Sequence, residues 1–381
     1  MRRYTDILTK LADSGNLRSI PADSTARTDL LDFSTNDYLG LATRTDLQEE
    51  FYAQEGALTI PLTSSASRLL ASTQRHYEEL ENLLTDLYGR PALLFNSGYH
   101  ANTGLISALA EGSTLILADR LVHASIIDGM VLSKARFMRF RHNDVAHLEQ
   151  LLRRNAAEYD RVLIVVESVY SMDGDTSPLE EIAALRHSTP NALLYVDEAH
   201  AVGVCGPTGL GVCHGTSWYD DVDILVGTFG KACASMGAFC AVSDKALRDF
   251  ALNRSRSFIF STALPPLNAA WTSFILRHIV EMNEERTHLQ ELSAQLASSL
   301  APILPAQLTP SHILPVIVGS ADKALALSRA LLDHDIKVLP IRTPTVPPGT
   351  ERLRISLSAG MSSADITRLS SALTSLHNSS L

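Results

Sequence analysis

Between residues 92 and 242 the sequence repeats one pattern: a short, almost uninterrupted apolar run, then a stretch of helical periodicity. The runs fall at 92–95, 114–118, 161–167, 192–197, 224–228 and 238–242. Successive residues of a strand face opposite sides, so a strand that is apolar at nearly every position must be covered on both. Alternation with helices predicts an α/β domain with a large, mainly parallel sheet.

The flanks read differently. The first forty residues predict an arm leading into a short strand and turn, Leu31-Asp32-Phe33-Ser34-Thr35-Asn36-Asp37-Tyr38-Leu39-Gly40. Pro265-Pro266 breaks the alternation, and helical patterns follow over 267–282 and 285–301. A strand-helix-strand-helix unit over 313–318, 323–334, 353–357 and 363–376 ends the sequence. The expected organisation is an arm at 1–43, a large domain at 44–265 and a small C-terminal α+β domain at 266–381.

A net charge of −10 argues against nucleic acid or anionic membranes as partners. The basic opening Met1-Arg2-Arg3 leads into an amphipathic stretch rather than an apolar signal segment. No window approaches the roughly 20 apolar residues of a spanning helix. Cys205, Cys213, Cys233 and Cys240 make no CxxC pair, which fits reduced thiols. A soluble cytoplasmic protein is expected, with no metal, since Cys205, Cys213 and His214 match no common zinc spacing.

Five of the six lysines have neighbours suited to a helix surface or a solvated loop. Lys231 instead follows an apolar strand, among small residues, in Thr228-Phe229-Gly230-Lys231-Ala232-Cys233-Ala234-Ser235-Met236-Gly237. Small neighbours admit a bulky ligand, and partial desolvation favours the free, nucleophilic amine that imine formation requires. A surface lysine after a glycine turn remains the plain alternative. A phosphate-cradling P-loop fails on spacing and on Ala232, which stands where a magnesium-binding hydroxyl belongs.

Strand 192–197 ends in Asp197-Glu198-Ala199-His200, at the end of the sheet where open α/β folds bind ligands. A carboxylate there can hold a pyridine nitrogen protonated; an acid that only caps the next helix is the structural reading. The same four letters spell a helicase motor box, which would need a true P-loop and a basic surface. Asn96-Ser97-Gly98-Tyr99-His100-Ala101-Asn102 opens a helix after a strand, a generic anion site. Thr228 and the Ser261-Thr262 pair are candidate hydroxyl donors to a phosphate, or ordinary turn residues. His123, on the same side of the sheet, could stack on a planar ring or sit in solvent at a helix start.

Taken together these segments resemble the α-oxoamine synthases, enzymes of the fold type I (aspartate aminotransferase-like) pyridoxal 5'-phosphate class. The likeness spans nearly the whole chain. It rests also on Asn36–Gly40, Asp119–Ser125, Arg141-His142-Asn143-Asp144, Glu167-Ser168-Val169-Tyr170-Ser171-Met172-Asp173-Gly174-Asp175 and Arg352-Leu353-Arg354-Ile355. The resemblance implies that Lys231 holds the cofactor as a Schiff base, that His123 stacks on its ring and that Asp197 meets its nitrogen. It places His200 and Ser168 near the phenolic oxygen, and Gly98, Tyr99, Thr228 and, from a dimer partner, Thr262 around the phosphate. Arg354 would hold the amino-acid carboxylate; Asn36, Ser356 and Arg18 would border the acyl substrate.

It also implies a homodimer that joins an amino acid to an acyl thioester with loss of carbon dioxide. Asn16-Leu17-Arg18 and the short termini favour the member using L-alanine and a pimeloyl thioester of coenzyme A or an acyl carrier protein. A sister enzyme joining glycine to acetyl-CoA is the alternative. Three departures from the family pattern stand out: Thr63-Ser64-Ser65-Ala66 in place of a glycine-rich run, His100 after the phosphate-binding turn, and Cys233-Ala234 in place of an aromatic-glycine pair.

Overall fold

The computed structural model describes residues 2–18, 20, 30–72, 74–304 and 310–379. Along the chain its strands are β1 (Leu31–Asp32), β2 (Ala92–Phe95), β3 (Thr114–Asp119), β4 (Arg136–Phe140), β5 (Arg161–Glu167), β6 (Ala192–Asp197), β7 (Ile224–Thr228), β8 (Ala238–Val242), β9 (Ile313–Ile317), β10 (Ile336–Lys337), β11 (Leu339–Ile341) and β12 (Arg352–Ser356). They fall into two compact units, residues 39–170 with 176–286, and residues 1–38 with 171–175 and 287–381.

The larger unit is built on a seven-stranded sheet in the order β2-β8-β7-β6-β5-β3-β4. All its pairings are parallel except those of β8, which runs antiparallel to both β7 and β2. Every residue of β2, β3, β7 and β8 is buried, as is β5 after its first residue, so both sheet faces are covered, as the continuous apolar runs predict. The core beneath helix Gly98–Leu109 contains Leu105, Ile116, Ile126, Leu163, Val226 and Cys240.

Two local features place the site. Ser97 caps helix Gly98–Leu109 by accepting from the His100 amide at 3.2 Å, a contact worth about 1 kcal/mol. That helix packs on helix Ala124–Ser133 at Gly129, where a Cβ would stand 3.0 Å from both the Asn102 carbonyl and Ile106 Cβ. Glycine therefore lets the two helices carrying Asn102, His123 and Ser125 approach closely.

In the smaller unit β12 lies between β11 and β9, antiparallel to each, and β1 pairs in parallel with β10. Segment 171–175 is fastened to β12, with Arg352 donating to the Met172 carbonyl at 3.2 Å and bonding Asp173. The packing divides the chain at 38/39, 170/171, 175/176 and 286/287. Helix Pro266–Ile279 stays with the larger unit because Trp271 and Phe274 sit 5.4 and 5.6 Å from Phe51, and the helix lies on Arg75–Tyr88. Edge strand β4 and the short β10 and β11 had no counterpart in the sequence pattern. In β4 only Phe140 is buried, so the strand lacks the apolar run that marks its neighbours.

Candidate active site

The carboxyl ends of β3, β5 and β6 bring three buried acids into one row: Asp119, Glu167 and Asp197, 0%, 3% and 5% exposed. Glu167 and Asp197 are register partners across the β5–β6 pairing. Asp119 is satisfied structurally, accepting from the Leu121 and Asn143 amides at 2.7 and 2.9 Å and lying 2.9 Å from His142 Nδ1. Glu167 accepts from the His123 amide at 2.5 Å. Burial pushes its pKa well above the carboxylate range, with the neighbouring Asp197 adding to the rise and Lys231 opposing it. Asp197 accepts from Asn102 Nδ2 at 2.7 Å and the Ala199 amide at 2.9 Å.

Lys231, in the loop between β7 and β8, is half-buried, with Nζ 2.7 Å from His200 Nε2. His200 is 6% exposed and follows β6. His123 presents much of its surface to solvent, but its Nδ1 edge lies 2.7 Å from the hydroxyl of buried Ser125. Burial pushes the pKa of this histidine down, Asp197 opposes the shift and Lys231 reinforces it. The imidazole is thus biased toward its neutral form.

At the phosphate end, Gly98 opens helix Gly98–Leu109, and a Cβ placed on it would be 3.8 Å from Thr228 Cβ. A helix start and a glycine thus meet beside a buried threonine, and the N–H groups of the helix's first turn are the donors an oxyanion needs. Thr228 Oγ1 already donates to the Gly237 carbonyl at 2.9 Å and accepts from the Gly230 amide. Tyr99 is 47% exposed and its phenol bonds Asp128, while its backbone N–H lies in the first turn of the helix. Thr262 is exposed, bridged to Ser67, with its carbonyl accepting from Asn96 at 2.5 Å.

Ser168 is fully buried and donates to Glu198 at 2.8 Å. Glu198, also fully buried, accepts from the Val212 and Cys213 amides at 2.9 and 2.8 Å and so pins the loop that follows His200. The Ser168 proton is thus spent on Glu198, while its oxygen keeps acceptor capacity.

In the smaller unit Arg354 is 3% exposed and donates to the Ser171 carbonyl at 2.5 Å, Ser356 Oγ at 2.6 Å and the Tyr38 hydroxyl at 3.3 Å. Asn36 Oδ1 accepts from the same Tyr38 at 3.0 Å. Arg18 donates to Thr345 Oγ1 at 2.9 Å. It lines a cavity of about 540 Å³ with Arg329 and Arg342. Sequence reasoning missed Asn102, Ser125, Tyr195, Glu167 and Thr345 as site residues. An asparagine inside an otherwise apolar helix was the one available signal for Asn102. Among the described residues no His/Cys/Asp/Glu group is arranged to hold a metal ion.

These groups fit pyridoxal 5'-phosphate: an amine beside an imidazole, a hydrogen-bonded carboxylate, a neutral imidazole edge and an anion-binding helix start.

The aminotransferase class I and II family profile matches residues 28–373. A protein of Pasteurella multocida, provisionally named 8-amino-7-oxononanoate synthase, is 46% identical over 349 residues, 91% of this chain and 90% of that protein. One of Haemophilus influenzae with the same provisional name is 48% identical over 341 residues, 88% of this chain and 89% of that protein. Serine palmitoyltransferase from S. paucimobilis, solved with pyridoxal phosphate and myriocin, superposes with a TM-score of 0.89 at 29% identity, covering 99% of this chain and 97% of that one. The 8-amino-7-oxononanoate synthase of Francisella tularensis superposes with a TM-score of 0.77 at 27% identity, over 92% of this chain and 99% of that one.

Proposed function

The chain is a pyridoxal-phosphate-dependent α-oxoamine synthase of the aminotransferase class I and II family, and from that premise we propose that it condenses L-alanine with a pimeloyl thioester to give 8-amino-7-oxononanoate. Carbon dioxide and the free thiol of the acyl carrier are the other products. The observation that carries the reading is the half-buried Lys231, whose Nζ lies 2.7 Å from His200 in the unit that also holds Asp197. The names of the relatives at 46–48% identity support the choice of substrates.

When bound, the cofactor supplies an aldehyde for the amine and a ring that accepts an electron pair from the amino-acid Cα. Lys231 would attach it, Asp197 would meet its nitrogen, and His123 would stack on its ring. His200 would lie near the ring oxygen, while Gly98, the Tyr99 amide, Thr228 and Thr262 of a second copy would surround the phosphate. Lys231 Nζ, once the alanine amine has displaced it from the cofactor, would be the base that takes the alanine Cα proton. Arg354 grips the alanine carboxylate in a charge-assisted contact. Asn36, Ser356 and Arg18 border the acyl chain, and the Nε2 side of His123 donates to the thioester carbonyl.

A second copy would also cover large exposed apolar side chains of the larger unit, Leu58, Leu62, Leu70 and Phe260, each at least 70% exposed. Among the described residues no helix is long and apolar enough to cross a membrane. Mass spectrometry of products from alanine, glycine or serine, each with pimeloyl-CoA, pimeloyl carrier protein, acetyl-CoA and palmitoyl-CoA, tests the assignment. Alanine with a pimeloyl donor should give the dominant product. Turnover confined to glycine with acetyl-CoA, or to serine with palmitoyl-CoA, would overturn it.

A further inference from the structure

Against Asp197 and His123 lies a polar cluster in an otherwise apolar layer. Asn102, Ser125 and Tyr195 are 2%, 0% and 0% exposed. Asn102 Nδ2 donates to Asp197 Oδ2 at 2.7 Å and to Ser125 Oγ at 2.9 Å, while the Tyr195 hydroxyl donates to Asn102 Oδ1 at 2.6 Å. Reversing the amide would set oxygen against the Asp197 carboxylate, so the phenol and the carboxylate together fix which end is nitrogen. Both amide hydrogens are then spent.

Ser125 Oγ, having accepted one of them, must send its own proton elsewhere, and His123 Nδ1 is 2.7 Å away. The Ser125 backbone N–H is directed at the same nitrogen, at 3.2 Å. An amide N–H can only donate, so Nδ1 keeps its lone pair and the ring proton sits on Nε2.

We propose that Asn102 is a positioning residue of this site: oriented by Tyr195, it ties the Asp197 carboxylate to Ser125 and, through Ser125, holds His123 in the tautomer protonated at Nε2. The inference rests on reading this as the pyridoxal phosphate site. Asn102 then couples two elements, β6 with its carboxylate and helix Ala124–Ser133 with its preceding histidine. An imidazole held this way offers substrate a donor at Nε2. The charged and titratable groups around it are Asp197 at the end of β6, His200 beyond it, Lys231 between β7 and β8, Glu167 on β5, Asp119 on β3 and Asp128 on helix Ala124–Ser133.

The test uses Asn102→Asp in the holoenzyme, a same-shape change that keeps the acceptor for Tyr195 and replaces the donors with an oxygen facing Asp197. Three quantities are read: the dissociation constant of pyridoxal phosphate, the pH midpoint of the bound cofactor's visible absorbance, and the ring-nitrogen chemical shifts of His123 in protein carrying ¹⁵N-histidine. The cofactor should bind at least about tenfold more weakly, the midpoint should move by about one pH unit, and the His123 nitrogens should lose their fixed tautomer pattern. Tyr195→Phe and Ser125→Ala should shift the same readouts by smaller amounts, and they carry the test if Asn102→Asp does not fold. A purely structural role would lower Tm and leave all three readouts at their wild-type values, which would overturn the proposal. Failure of the wild-type protein itself to bind pyridoxal phosphate would instead sink the reading of the site.

Discussion

In the larger unit the buried ionisable groups answer one another: Lys231 lies against His200, Glu167 beside Asp197, and Asp119 against His142. The smaller unit treats two arginines of one strand, two residues apart, in different ways. Arg352 bonds the Asp173 carboxylate, whereas Arg354, equally buried, donates to a carbonyl and two hydroxyls. Neutral oxygens satisfy a guanidinium's hydrogens without cancelling its charge. Arg352 is therefore spent on the fold, while Arg354 keeps its attraction for an anion, and a buried charge kept this way suits ligand binding better than stability.

Substitutions at each place separate these roles. Lys231→Ala should have the largest effect, lowering turnover by about 10⁴-fold and leaving the cofactor bound without a covalent link, checked by product formation and dialysis. Next is Gly174→Ala. Gly174 has φ +70° and its added Cβ would meet the Ile313 carbonyl oxygen at 1.9 Å, so the segment offering the Ser171 carbonyl to Arg354 would be displaced. A loss of about 3 kcal/mol on denaturation is expected.

Arg354→Ala should raise the amino-acid KM by about 100-fold with a small change in Tm, because no carboxylate is left without its partner. Arg352→Ala should do the reverse, costing about 1 kcal/mol of stability with KM little altered. Similar KM changes in the two variants would break the contrast between spent and available charge.

Glu167 gives a pH signature of the larger unit. Its native pKa lies above the unfolded value because of burial. The stability it contributes is complete below the ordinary carboxylate range and is lost as pH rises through the native pKa, as the unfolded chain ionises first. Glu167→Gln should therefore gain Tm relative to wild type as pH is raised from 5 to 8 in thermal melts of the apoprotein. A constant difference would show that Glu167 is ionised in the native state.

The smallest effect belongs to the sequence departures. Ser65 and Ala234, the residues standing near or in place of the family's glycines, both adopt left-handed backbone, at φ +51° and +43°. Ala234→Gly should relieve that strain, partly offset by chain entropy, for a net gain of about 0.5 kcal/mol.

Much of this arrangement was legible in the chain. Parallel strands announce themselves because burial on both faces demands an unbroken apolar run, and β5, β6, β7 and β8 span the expected residues. Lys231, Asp197 and His123 were expected at the site because strand ends in an open α/β sheet point at the ligand. Spacing alone did not reveal that Ser168 donates to buried Glu198, 30 residues away. Asn102 and Tyr195 stayed hidden because a buried polar side chain is chosen by partners 93 to 95 residues away, a distance no local pattern encodes.

The account depends on a covalent bond between one amine and an aldehyde cofactor. Borohydride reduction of the purified protein with pyridoxal phosphate, followed by peptide mass mapping, should find a pyridoxyl group on Lys231 and on none of the other five lysines. An unmodified Lys231 peptide, or the adduct on a different lysine, would contradict it.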